Sequence, residues 1–212
     1  MAIAQILFDS QTIQQRVREL AAEVVSKLED ERPLLVAVLK GSVMFLADLV
    51  REMGIDADIE FMSISAYPGS SPGTPRTGVV RIVKDLEQPL EHRDVIVVED
   101  IVDTGLTLSF LLKNLEAREP KNLRVCTLVN KDVRRIAEPS IDHVGFHTGQ
   151  FVVGYGLDFK GRYRNLPFIA GVSDVAALAA RPDSLLNLFA DMTIPEAGST
   201  ATGSSNPGSA SR

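Results

Sequence analysis

The stretch Val95-Ile96-Val97-Val98-Glu99-Asp100-Ile101-Val102-Asp103-Thr104-Gly105-Leu106-Thr107 decides the fold and narrows the chemistry. Four β-branched apolar residues, Val95 to Val98, predict a buried strand that the adjacent carboxylates Glu99 and Asp100 bring to an end. A small, hydroxyl-rich turn follows, and an apolar-periodic helix begins after it. This is where α/β proteins hold phosphate, because backbone N–H groups at a helix N-terminus favour an anion. Two carboxylates beside such a nest would repel a bare phosphate. They suit sugar hydroxyls that donate to them, or a divalent cation. The segment points to a phosphorylated sugar together with a metal.

Outward from this segment, strands alternate with helices. Ile3 to Phe8 reads as a short strand or an arm, and Thr12 with Gln15 has the form of a capping box. Ile13, Val17, Leu20, Ala21, Val24 and Leu28 then recur at helical spacing until Pro33. Leu34 to Leu39 predicts a strand, and Lys40-Gly41-Ser42 turns into a second helix that runs to about Glu52. Ile59 to Ser65 and Val79 to Val83 have strand character on either side of a long mobile loop, 68–78, rich in Pro, Gly, Ser and Thr. Leu123–Val129, Ile141–Phe146 and Phe151–Tyr155 complete the strands. The order implies an α/β fold with a mostly parallel sheet flanked by helices. One domain is expected over residues 1–190. From Ile194 to Arg212 the chain is Gly, Ser, Thr, Ala and Pro with almost no large apolar residue, so a disordered tail is expected at 194–212.

Composition excludes several classes of function. The net charge of -6 argues against a general nucleic-acid binder, and no apolar run approaches the length of a membrane span. The N-terminus lacks the layout of a signal peptide. The single cysteine, Cys126, sits inside a predicted strand and reads as a small buried hydrophobe, which makes a reducing cytoplasm the expected compartment.

Familiar motifs are absent. The turn 103–107 lacks the Gly-Lys-Ser/Thr ending of a P-loop and the glycine pattern of a dinucleotide site. His92, His143 and His147 do not fall at zinc-ligand spacing and read as surface or structural groups, and no serine nucleophile elbow appears.

The segment 99–107 resembles the phosphoribosyl-pyrophosphate motif of the type I phosphoribosyltransferases. Further segments narrow the resemblance to the hypoxanthine-guanine phosphoribosyltransferases: Val38-Leu39-Lys40-Gly41-Ser42, the Lys131 region, and Phe151-Val152-Val153-Gly154-Tyr155-Gly156-Leu157-Asp158 with Arg162-Tyr163-Arg164-Asn165-Leu166-Pro167 behind it. The likeness covers roughly residues 5–180, in the expected order.

The resemblance implies the type I phosphoribosyltransferase fold with a small hood formed by terminal segments. It implies Mg²⁺ as cofactor, phosphoribosyl pyrophosphate and hypoxanthine or guanine as substrates, and a homodimer or homotetramer. The donor's 5′-phosphate would sit on the backbone and hydroxyls of Asp103, Thr104, Gly105, Leu106 and Thr107. Glu99 and Asp100 would hold the ribose hydroxyls, directly or through Mg²⁺; read alone, the two carboxylates serve equally well to complement the next helix's dipole. Asp103 would accept a proton at purine N7, and it is also a good N-cap residue.

By the same resemblance Lys131 would donate to the purine O6 and so select 6-oxopurines over adenine. Phe151 would stack on the purine face, and Val152 would meet the base edge through its backbone. Asp158 would contact a second metal ion, Arg164 would bind pyrophosphate with its fork, and Lys40-Gly41 would offer backbone to the same group. The loop 68–78 would be a lid. The family usually carries Ser-Tyr at its start where this chain has Ala66-Tyr67, which leaves Tyr67 as the candidate there.

The expected reaction moves the 5-phosphoribosyl group to N9 of hypoxanthine or guanine, giving IMP or GMP and pyrophosphate. A xanthine-preferring or hypoxanthine-only transferase is the alternative within the family. A non-catalytic regulator that senses the donor while binding RNA or DNA is the alternative outside it, and the acidic charge gives it no support.

Overall fold

Successive residues of the central strands point to opposite faces of the sheet, and both faces are apolar, so each strand is buried from two sides. The computed structural model describes residues 3–67 and 79–185. The expected lid at 68–78 and the expected tail at 194–212 lie outside the described residues.

A six-stranded sheet has the order β4-β3-β2-β5-β6-β7, from β2 (Leu34–Leu39), β3 (Asp58–Tyr67), β4 (Val79–Lys84), β5 (Asp94–Val102), β6 (Asn122–Lys131) and β7 (His143–Thr148). All neighbours are parallel except β3 and β4, which form an antiparallel pair at one edge. On one face, Leu35, Ala37, Ile96, Val98, Cys126 and Leu128 pack against α1 (Ser10–Val25) and α2 (Val43–Glu52). On the other, Leu34, Val36, Val95, Val97 and Val125 pack against Leu108, Leu111 and Leu115 of α3 (Leu106–Glu116). Each fully buried aliphatic side chain contributes about 1.5–3 kcal/mol, so these two layers hold the site's scaffold rigid.

A smaller three-stranded sheet, in the order β1-β9-β8, joins β1 (Ala4–Phe8), β8 (Phe151–Val153) and β9 (Ile169–Val172). Its own core contains Ala4, Val153, Phe168, Val172, Leu178 and Leu185, the last two from α4 (Val175–Ala180) and a 3₁₀ turn at Pro182–Leu185. This is the hood expected from terminal segments, set beside the carboxyl ends of the main strands.

Several local expectations shift. The capping box at Thr12 and Gln15 does not form: Asp9 caps α1, its carboxylate accepting from the Thr12 N–H at 2.8 Å. A carboxylate at that place also complements the helix dipole. Glu99 and Asp100 do not end β5, which continues to Val102 because its backbone keeps pairing with β6 through Val102 and Asn130. Lys131 is the last residue of β6 rather than lying beyond it. The strand from Phe151 leaves the main sheet altogether and pairs with β9. Cys126 is fully buried, and burial pushes its thiol well above the ordinary range, as expected of a packing residue.

Candidate active site

The turn 103–105 is gripped from behind. The N–H groups of Ile136 and Ala137 both donate to the Thr104 carbonyl, at 3.0 and 3.2 Å. Gly105 has φ +81°, and a Cβ there would come within 2.2 Å of the Ala137 carbonyl oxygen, so only glycine permits this approach. Gly105, not Asp103, is the N-cap of α3, and no side chain caps the helix. The first N–H groups of α3 therefore keep their capacity for an anion. Asp103, Leu106 and Thr107 are exposed on this turn and Thr104 is half-buried. Leu106 is 48% exposed.

Beside the turn lies a cavity of about 310 Å³ lined by residues that include Val38, Leu39, Glu99, Asp100, Asp103 and Thr107. Glu99 is buried, and its carboxyl has no hydrogen bond or ion pair among the described residues; burial, reinforced by Asp100, holds its pKa well above the carboxylate range. Burial likewise pushes Asp100 up to about 6, although the Ile101 N–H donates to its Oδ1 at 2.9 Å and Arg164 favours its ionised form. Two carboxyl groups kept this short of donors are primed for a ligand that brings hydroxyls or a cation.

Asp100 also locks the second strand-to-helix turn. A Cβ on Gly41 would lie 1.5 Å from Asp100 Oδ2, so this glycine lets the carboxylate lie directly on the backbone. Gly156, with φ +95°, abuts the Gly41 carbonyl in turn: a Cβ there would approach it to 2.0 Å. The Leu39–Lys40 peptide bond is cis, and Lys40 is exposed beside Leu39, which lines the cavity.

A second cavity, of about 190 Å³, shares Asp100, Ile101 and Asp103 with the first and adds Lys131, Phe151, Val152, Leu157 and Asp158. Lys131 reaches it from the end of β6, and Phe151 and Val152 from the hood strand β8. Phe151 is braced edge-on by Phe159, with ring centroids 5.8 Å apart. Arg164 donates to the Gly156 carbonyl at 2.6 Å and pairs with Asp158 at 2.5 Å. The other Asp158 oxygen accepts from the Gly161 N–H at 2.6 Å. Tyr67 is the last residue of β3, where only the backbone is described.

The structure thus lines two joined cavities with Glu99, Asp100, Asp103, Thr104, Gly105, Thr107, Lys131, Phe151, Val152 and Asp158; Gly41 lies against Asp100 and Arg164 against Asp158, while Lys40 and Leu106 adjoin these residues in the chain. Sequence reasoning missed Arg135 and Asn130. Arg135 donates to the Asp103 carbonyl at 2.6 Å and to the side-chain oxygen of Asn130. In the sequence it is one arginine of a charged loop, with no periodicity to single it out. It also missed Ala137, whose only signal is its smallness.

For a divalent metal, the donor set is hard carboxylate oxygen, which suits Mg²⁺. No cluster of three or more such side chains forms a cage among the described residues. An ion bound here would take one or two of these carboxylates, with substrate phosphates to complete its shell.

The model of the phosphoribosyl transferase domain family matches residues 4–160. The hypoxanthine-guanine phosphoribosyltransferase of Mycobacterium avium is 47% identical over 174 residues, covering 79% of this chain and 84% of the relative. The hypoxanthine-guanine-xanthine phosphoribosyltransferase of Tritrichomonas foetus is 43% identical over 169 residues, covering 79% of this chain and 90% of the relative. A solved structure of the hypoxanthine phosphoribosyltransferase of Trypanosoma cruzi with the product IMP superimposes with TM-score 0.73 at 34% identity, covering 83% of this chain and 98% of that one. With its paired cavities on a type I phosphoribosyltransferase fold, the chain belongs to the phosphoribosyltransferase family, in its hypoxanthine-guanine branch.

Proposed function

We propose that this chain is a Mg²⁺-dependent purine salvage enzyme of the cytoplasm that transfers the 5-phosphoribosyl group from phosphoribosyl pyrophosphate to N9 of hypoxanthine or guanine. The observation that carries the reading is the pair of cavities sharing Asp100, Ile101 and Asp103: one has a phosphate-type turn, the other a lysine and an aromatic ring.

In this reading the 5′-phosphate rests on the turn from Asp103 to Thr107, and Glu99 and Asp100 grip the ribose hydroxyls. The purine enters the second cavity between Phe151 and the Val152 backbone. Lys131 donates to O6, where adenine offers an amino group that cannot accept the bond; a polar group left unpaired by the wrong substrate discriminates strongly. Asp103 accepts the proton at N7 while N9 attacks the ribosyl carbon and the bond to pyrophosphate breaks. Positive charge develops on the ribose and negative charge on the departing pyrophosphate. Arg164 and the Lys40-Gly41 turn would stabilise the latter, once Arg164 exchanges its bond to Asp158 for the phosphate. Mg²⁺, held by Glu99, Asp100 or Asp158 together with donor oxygens, would neutralise charge on the pyrophosphate. The homodimer or homotetramer expected of this chain is part of the same proposal.

The test mixes purified protein with donor, Mg²⁺ and each of hypoxanthine, guanine, xanthine and adenine. IMP and GMP are expected, with adenine unused. No nucleotide from any 6-oxopurine would refute the reading.

A further inference from the structure

Val102 and Asn130 are paired in the β5–β6 ladder, and the pairing goes no further. Asp103 and Lys131, the two side chains expected to read N7 and O6 of the base, are each one residue beyond that last pair. The ladder therefore leaves their mutual distance unfixed. Arg135 bridges this gap: one guanidinium nitrogen bonds the Asp103 carbonyl at 2.6 Å, and another bonds the side-chain oxygen of Asn130, the neighbour of Lys131. A planar fork holding two acceptors fixes both distance and orientation, which a flexible ammonium does not do.

The phosphate turn has a separate hold. The Thr104 carbonyl is bonded by the N–H groups of Ile136 and Ala137, and neither bond involves the Arg135 side chain. One short segment thus performs two tasks: its backbone fastens the phosphate turn, and the Arg135 side chain ties that turn to the end of β6.

We propose that Arg135 is a positioning residue for base recognition, setting the spacing between Asp103 and Lys131 to the N7–O6 edge of a 6-oxopurine. The proposal rests on the functional reading above. It separates Arg135 from a merely structural residue, because its loss would weaken ligands that carry the base and spare those that carry only the phosphate and ribose.

The experiment measures binding of IMP and of ribose 5-phosphate by calorimetry, with melting temperatures, for the wild-type chain and for R135A, R135K and N130A. In R135A, IMP affinity should fall by about 10- to 100-fold, the scale expected for reacting or reading groups displaced by about an ångström, and ribose 5-phosphate by less than about 3-fold. R135K keeps the charge and should recover little of the loss. N130A leaves the Arg135–Asp103 bond in place and should show the same selective loss in milder form, which covers the case in which R135A folds poorly. Equal weakening of both ligands, unchanged IMP affinity in R135A and N130A, or full rescue by R135K would overturn the proposal. A wild-type chain that binds IMP but makes no nucleotide would refute the functional reading, while the contrast between the two ligands would still decide the role of Arg135.

Discussion

Strand β5 carries buried carboxylates at both ends, and the two ends treat them in opposite ways. At the amino end, Asp94 is completely buried, yet its oxygens accept from the N–H groups of Glu29 and Asp30 at 2.6 and 2.9 Å and from the Asn122 amide at 2.6 Å, with Arg124 at 3.3 Å. Burial works to raise its pKa, and these donors outweigh it, so the net shift is downward. At the carboxyl end Glu99 has no donor among the described residues, and Asp100 has only backbone N–H groups, that of Ile101 at 2.9 Å among them, beside the charge of Arg164. Both are shifted upward. A buried carboxylate whose donors are supplied by the protein is scaffold; one left short of donors awaits a ligand.

The contrast can be broken first at the scaffold end. Asp94→Ala would strand the two N–H groups, Asn122 and Arg124, and should cost about 3–5 kcal/mol in denaturant unfolding, while kcat/KM of the folded enzyme stays within about 2-fold. Lost activity at unchanged stability would reverse the assignment of the two ends. Gly41→Ala drives a methyl group into Asp100 and should lower kcat/KM by about 100-fold, a figure for groups misplaced by roughly an ångström; steady-state kinetics on the folded variant checks this.

Asp100→Asn sharpens the same comparison through pH. Below its ordinary value of 3.8 Asp100 is protonated in both folded and unfolded chains. As pH rises, the unfolded chain releases that proton first, while the folded chain keeps it until about 6, so the native state loses stability across this window. Asp100→Asn should thus raise the stability of the ligand-free protein at pH 7 by on the order of 3 kcal/mol, and by little at pH 3.5, while weakening donor binding. Thermal melts at the two pH values give the answer. The smallest effect is expected at Lys131→Met, where discrimination between hypoxanthine and adenine should fall by at least about 10-fold, read as a ratio of kcat/KM values.

The run Val95–Val98 and the carboxylates after it were legible because β-branched runs and adjacent charges are local signals. Lys131 and Phe151, which line the second cavity, were singled out by motif order alone, since locally they read as a surface lysine and a core aromatic. The hood's β9 was missed, since four residues, Ile169 to Val172, with a glycine among them carry too little periodicity. Nothing local shows that β8 leaves the main sheet for it. The cap of α1 went to Asp9 because Asp9, Ser10 and Thr12 all carry a capping-type oxygen within four residues, and the chain's approach to the helix decides among them. Arg135 was invisible for a further reason: its role exists only where β5 and β6 end side by side.

The central claim, that the carboxyl end of β5 is left short of donors for the ribosyl donor, is tested most directly by counting protons. Calorimetry of phosphoribosyl pyrophosphate binding with Mg²⁺ at pH 5.5, in buffers of different ionisation enthalpy, gives the number released. The wild-type chain should release more protons than Asp100→Asn, since the ligand draws Asp100 into its ionised form. Equal release by the two proteins would contradict the account.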